Sequence, residues 1–343
     1  MNTRKPSIMA TVNQNDLRIK NAKNMLASLN GDTEPSSAEA YVFVGRPTAW
    51  PNDNAPPVPT NNFREFYNTY DQMLSLKRIT DLDAYPMLPR YKWQSGTTYD
   101  IYNPNYSSQS KSFTGQTNLY DCIYVVENTN HSVYVCLDNN GNSASTVEPQ
   151  DAGDDAFITS DGYQWLRVYD IPALDITDHT TENYMPIIQN NVVDTVDGAV
   201  YTVLINSAGT GYTSNPGGFT NQIPYYYARI VGDGSGAVAR VSLTLTGISR
   251  IEVVRYGSGY TEGTLDFSAN NVYGSLVDLD ADINGLNPGG NGDFRSTVII
   301  TPPGGWGTDL QRELGGTRVG FFSSLGTDST DYDFTEGISF RQI

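Results

Sequence analysis

The 343 residues carry 21 Lys+Arg against 38 Asp+Glu, a formal net charge of −17. That balance excludes the basic footprint a nucleic-acid binder needs, and it repels an anionic membrane surface. The length exceeds one ordinary core and predicts two or three domains, while 23 Tyr, 12 Phe and 4 Trp set the chain apart from disordered sequences. Residues 1–10 are polar, with Arg4 and Lys5, and no apolar leader follows them. No run of about 18 apolar residues occurs, so no membrane insertion is expected, and the chain is expected to be made and kept in a cytoplasm.

Residues 11–30 are predicted helical, with Leu17, Met25, Leu26 and Leu29 as a rough apolar stripe and Gly31 as the stop. Tyr41–Val44 is a short apolar strand running into a Pro- and Asn-rich stretch that ends at Pro59. A second helix follows. Phe63, Phe66, Tyr67, Tyr70, Met73 and Leu74 share one face at a 3.6-residue period, Asn61 or Asn62 can cap its start, and that face is expected in the core.

From Tyr91 onward the pattern is β. Asp121–Glu127 and Ser132–Leu137 are predicted strands of a hairpin centred on Thr129, which would set Cys122 opposite Cys136 as two buried, unbonded thiols. Gly162–Tyr169 alternates Tyr163, Trp165, Arg167 and Tyr169 against Gln164, Leu166 and Val168. Residues 200–310 are Gly- and Thr-rich and internally repeated: Gly-x-Gly-Tyr-Thr starts at Gly209 and again at Gly257, 48 residues on (257 − 209), with a degenerate echo at Tyr273–Leu276. The expected unit is a strand, a tight glycine turn, a Tyr packing back on the sheet, and the next strand. The reading is a mainly β (α+β) chain: antiparallel β-sandwich or barrel-like domains with a small N-terminal helical part. The predicted divisions are 1–90, an N-terminal helical and strand region; 91–195, a β domain; 196–310, a Gly-rich β-repeat domain; and 311–343, a C-terminal segment returning to the core.

Motifs that could carry chemistry are weak. Gly232–Ala237 loosely fits a dinucleotide fingerprint, but Ala237–Thr246 alternates as a strand where that fingerprint requires a helix. Asp278, Asp280 and Asp282 resemble the start of a calcium loop, without the Gly and Glu that an EF-hand needs at its sixth and twelfth positions. Asp151–Asp155 is an acidic turn with no second carboxylate placed across a cleft. His131 and His179 are expected at the surface, with no nucleophile motif beside them. No catalytic residue and no cofactor are expected.

Several segments together resemble a known family. Tyr41–Trp50 followed by prolines, the helix after it with Pro89-Arg-Tyr-Lys-Trp93, Tyr134–Asp138, Asp161-Gly-Tyr-Gln-Trp165 with Ile171-Pro172, and Ser339–Ile343 are similar, in order, to segments of the baseplate wedge subunit of T-even-type contractile-tailed phages. Residues 200–310 depart from that pattern and resemble the glycine-rich repeats of other large-phage baseplate proteins, as does Pro302–Gly307 with Glu313–Gly316. The resemblance implies a virion protein of the tail baseplate: a homodimer within each wedge, touching other wedge proteins, assembled in the host cytoplasm and without catalytic residues. Trp50, Trp93, Tyr212 and Tyr260 are candidate interface anchors, and Trp165 is expected in the chain's own core. The alternative readings are a carbohydrate- or receptor-binding module of a tail and a glycan-degrading tailspike.

Overall fold

The computed structural model describes residues 14–29, 40–46, 48–58, 60, 62–151, 153, 155–189, 196–213, 225–244, 247–268, 271–282 and 285–322. The helix stop at Gly31 and the Ser339–Ile343 motif lie outside the described residues. In chain order the elements are α1 (Gln14–Leu29), β1 (Ala40–Gly45), α2 (Phe63–Asp71), β2 (Met73–Ile79), β3 (Ala84–Pro89), β4 (Val125–Glu127), β5 (Ser132–Asp138), β6 (Phe157–Ile158), β7 (Gln164–Asp170), α3 (Ala173–Asp178) and β8 (Tyr184–Pro186). There follow β9 (Val200–Ala208), β10 (Tyr225–Gly232), β11 (Val238–Leu243), β12 (Ile248–Arg255), β13 (Gly263–Leu265), β14 (Val272–Tyr273), α4 (Leu276–Asp280), β15 (Phe294–Ile300), α5 (Leu310–Glu313) and β16 (Arg318–Phe321). The protein is mainly β, with antiparallel sheets, one of them a half-barrel, an N-terminal helix and few others.

The chain forms two compact units. The first comprises Met1–Pro89, Ala173–Ile187 and Gly315–Ile343, and the second Arg90–Pro172 and Ile188–Leu314. The expected division at 195 and 196 does not separate compact bodies. Inside the second unit β9 joins the two stretches, because Thr202 Oγ1 donates to the Leu137 carbonyl at 2.7 Å and Leu204 packs on the core around Trp165.

In the first unit β16, β3 and β8 form a three-stranded sheet with β3 in the middle. Helix α1 lies against β3 and β16. Its buried residues are Ile19 and Ala22, whereas Leu17 and Met25 are exposed. The stripe is therefore Ile19, Ala22, Leu26 and Leu29, only half of it as read from the sequence. Strands β1 and β2 pair separately, with Phe43 opposite Leu76 and Val42 opposite Lys77. Met73 and Leu74 belong to β2 and not to the preceding helix, which ends at Asp71. Met73–Ile79 alternates at period two, and pairing with β1 prevails over continuing a helix.

In the second unit one sheet has the order β4-β5-β7-β6. Both faces of β7 are buried: Trp165, Leu166, Val168 and Tyr169 are all at 0% exposure, so its alternation does not separate a wet face from a dry one. Trp165 is core, as expected. The hairpin register is two residues from the one read from sequence. Val125 stands opposite Val135, so Cys136 faces Tyr124 on one side and Trp165 on the other. Cys122 instead ends the 3-10 turn Leu119–Asp121, its Sγ 3.3 Å from the Asn118 carbonyl. Both thiols are buried and free, but they do not face one another.

Another core of this unit lies between the ribbon β9–β15 and the sheet β12-β11-β10-β13, filled by Val203, Tyr226, Ile230, Val241, Ile251 and Leu265 among others. The repeat has a structural counterpart here. Strands β9 and β12 each run into Gly-x-Gly with matching left-handed backbones: φ is 61 and 79° at Gly209 and Gly211, and 61 and 75° at Gly257 and Gly259. Each is paired antiparallel to a strand that itself leaves a glycine loop, β15 after Gly289–Gly292 and β11 after Gly232–Gly236. The repeat is thus a duplicated two-stranded ribbon. The weaker echo at Tyr273 is not a third copy, since β14 passes directly into α4.

Candidate functional site

Each expected interface residue is engaged within its own unit. Tyr260 is 2% exposed, and its hydroxyl donates to the Ile230 carbonyl at 2.9 Å and accepts from the Ala237 amide at 3.3 Å. It is a core residue, not an anchor for a partner. Tyr212 is half-buried against Phe267, their ring centroids 5.3 Å apart. Trp93 packs at the margin of the Trp165 core, and its Nε1 donates to Ser145 Oγ at 3.1 Å. Trp50 is half-buried beneath Arg46, whose guanidinium carbon stands 3.3 Å from the ring centroid.

The residues singled out for chemistry are occupied by structure. Asp280 makes a two-pronged pair with Arg255, and Asp282 pairs with Arg229 at 3.0 Å, so these carboxylates point to separate arginines; Asp278 lies in the first turn of α4, its amide 3.2 Å from the capping Ser275 hydroxyl. Among the described residues no three His, Cys, Asp or Glu side chains gather as a metal would require. The Gly232–Ala237 loop leads into β11, and its Asp233 carboxylate accepts from the Thr261 amide at 2.9 Å and the Glu262 amide at 3.0 Å. Hydrogen bonds from the Thr261 hydroxyl and these amides hold the Asp233 carboxyl down at about 2. The loop is a clip onto the second Gly-x-Gly-Tyr-Thr turn. In the acidic turn, Asp151 Oδ1 accepts from the Gly153 amide at 2.8 Å.

Neither histidine is a free surface group. His131 Nδ1 lies 2.6 Å from Glu127 Oε1, and His179 Nδ1 lies 2.6 Å from Asp175 Oδ1. Glu127 is 1% exposed and also receives Arg90 through Nε at 2.6 Å and through a terminal nitrogen at 2.9 Å. Burial works to raise its pKa, but the hydrogen bonds from Arg90 and His131 outweigh this and hold it below the ordinary 4.5. Beside this pair an open cavity of about 330 Å³ is lined by Arg90, Lys92, Thr98, Tyr99 and Ile123 among others.

The feature that sequence reasoning misplaced is α2. Its aromatic face was expected in a core, yet no residue of the helix is buried. Phe63 is 83% exposed, Phe66 58%, Tyr67 66% and Tyr70 58%. The helix is nevertheless held firmly at both ends. Asn62 is the N-cap, accepting from the Glu65 amide at 2.9 Å, while Glu65 Oε2 reaches back to the Thr60 amide at 2.8 Å. At the other end the Gln72 carbonyl accepts from the Arg46 amide at 3.0 Å, and Gln72 Oε1 accepts from the Arg46 guanidinium at 3.1 Å. Gly45 is required there, because a Cβ would stand 2.5 Å from the Gln72 oxygen. Arg46, at φ 52°, then turns the chain so that its side chain covers Trp50. The Gly-Arg…Trp segment is therefore the clamp that presents α2. Nothing in the sequence distinguishes such a face from a core face, since both have the same period.

No protein-family model matches the chain, and no curated protein matches it.

Proposed function

We propose that the chain is a structural subunit of the baseplate wedge of a contractile phage tail, a homodimer within each wedge that acts by contact with other wedge proteins. The observation that carries this reading is the clamped helix α2 with four exposed aromatics. A contiguous apolar patch of that kind marks an interaction surface, and its preorganised backbone lowers the ordering cost of docking. The segments resembling the wedge family support it, because Tyr41–Trp50 is the clamp that presents this helix. The chain is assigned no catalysis, and its place is the tail baseplate, reached by assembly in the host cytoplasm.

The test is to isolate contractile tails from cells that carry the gene and count this chain per tail by quantitative mass spectrometry. A fixed copy number that is a multiple of six is expected for a wedge protein. A chain left wholly in the soluble fraction would remove the reading. A second reading, a carbohydrate- or receptor-binding module, draws on the cavity beside Arg90 and Lys92.

A further inference from the structure

The four aromatics of α2 form a set that is symmetric about its own midpoint. Phe63 and Tyr70 lie equally far on either side of it, and so do Phe66 and Tyr67. Two copies of such a helix laid antiparallel about a two-fold axis match each to each, Phe63 against Tyr70 and Phe66 against Tyr67. One charged pair follows the same operation to within two positions. Arg64 and Asp71 flank the aromatic stripe on the same side, at helical angles about 20° apart. In the antiparallel pair, Arg64 of one copy falls about 3 Å along the axis from Asp71 of the other. Both side chains are exposed, and among the described residues neither has an ion-pair partner within its own chain. Aromatic side chains of this size at 58 to 83% exposure offer on the order of 500 Å² per copy, so pairing removes about 1,000 Å² in total, near the lower bound of a specific interface.

We infer that α2 is the self-association surface of this protein: a second copy docks antiparallel on Phe63, Phe66, Tyr67 and Tyr70, with Arg64 and Asp71 pairing twice across the axis. This rests on the reading of the chain as a self-associating structural subunit, and it names the surface.

The experiment is light scattering of the full chain over a dilution series, for the wild type and three variants, with circular dichroism confirming that each keeps the fold. The wild type is expected as a dimer. Phe66→Asp raises the dissociation constant at least about thirtyfold, as loss of a central aromatic anchor does. Arg64→Asp weakens the dimer, and Arg64→Asp combined with Asp71→Arg restores it, because the swap re-forms both cross-pairs. A dimer untouched by Phe66→Asp overturns the surface while leaving a self-associating subunit intact. Failure of the swap to rescue overturns the antiparallel arrangement. A wild type that is monomeric at every concentration overturns the inference outright, and the copy number in isolated tails then decides the structural role by itself.

Discussion

The ring of Tyr260 occupies the space where a side chain on Gly234 would stand: a Cβ there would lie well inside van der Waals contact of the ring carbons. Tyr212 stands in the same relation to Gly290. Each Gly-x-Gly-Tyr-Thr turn is therefore locked by its Tyr onto the glycine loop that precedes the strand paired with it.

Gly234→Ala is expected to destabilise the fold by about 1 to 3 kcal/mol, the usual cost of forcing one extra carbon into a packed core. Gly290→Ala adds backbone strain to the same clash, because φ there is 90°. Tyr260→Phe keeps the packing but leaves the Ile230 carbonyl and the Ala237 amide short of a buried partner, for about 1 to 3 kcal/mol. Denaturant unfolding of the three variants checks the order; a neutral Gly234→Ala would mean that the ring is free to move aside.

Glu127 sets a pH dependence. Its carboxyl is held below 4.5 in the fold, so its contribution is complete above that value and is lost as the pH falls through the folded pKa. Glu127→Gln leaves the Arg90 charge without its carboxylate and is expected to cost about 3 kcal/mol at pH 7. The gap between wild type and variant narrows as the pH falls below 4.5 and through the folded pKa. Urea unfolding of both proteins from pH 7 to pH 3 measures it, and a gap that stays constant with pH would show that the carboxylate charge contributes nothing.

Burial pushes the Cys122 thiol up to about 12 and the Cys136 thiol also far above its ordinary value. Neither is a nucleophile at neutral pH. A maleimide reagent at pH 7.5 is expected to leave both untouched in the native protein and to modify both in denaturant. Mild oxidants form no disulfide within the chain, because β5 turns Cys136 toward Trp165 and Cys122 closes a separate turn.

Asp280 and Asp282 are engaged by Arg255 and Arg229, so calcium has no preformed cage at α4. The melting temperature is expected to be the same in chelator and in millimolar calcium. A rise of several degrees with calcium would favour the ligand-binding module over the wedge subunit, since only a ligand of the native state raises it.

The β class, the strand at Val238–Leu243 and the core position of Trp165 were legible because alternation and glycine turns are local signals. The glycine partners Gly234 and Gly290 were not, since nothing local ties a loop to a Tyr beyond the next strand. The Cys register failed by two residues because the hairpin loop, closed by Asn128 onto Ser132, centres on Asn130 and sets Glu127 opposite Val133, while Cys122 caps the turn Leu119–Asp121 ahead of β4. Strand β2 was legible in its alternation and was absorbed into a helix whose aromatic period ran past Gln72. The exposed face of α2 could not be told from a core face, because the sequence records which residues share a side and not what covers it.

Strand β16 pairs with β3, placing Arg318 opposite Met87. More than two hundred residues are translated between those two partners, which at ordinary elongation rates takes roughly 10 to 50 s. The ribosome therefore delivers the central strand of the first unit long before its neighbour exists. The second unit, whose residues all lie between those two strands, can complete its core first. The last sheet to close is the one that draws on both the early and the late ends of translation, so a chain truncated before Arg318 leaves β3 with an open edge.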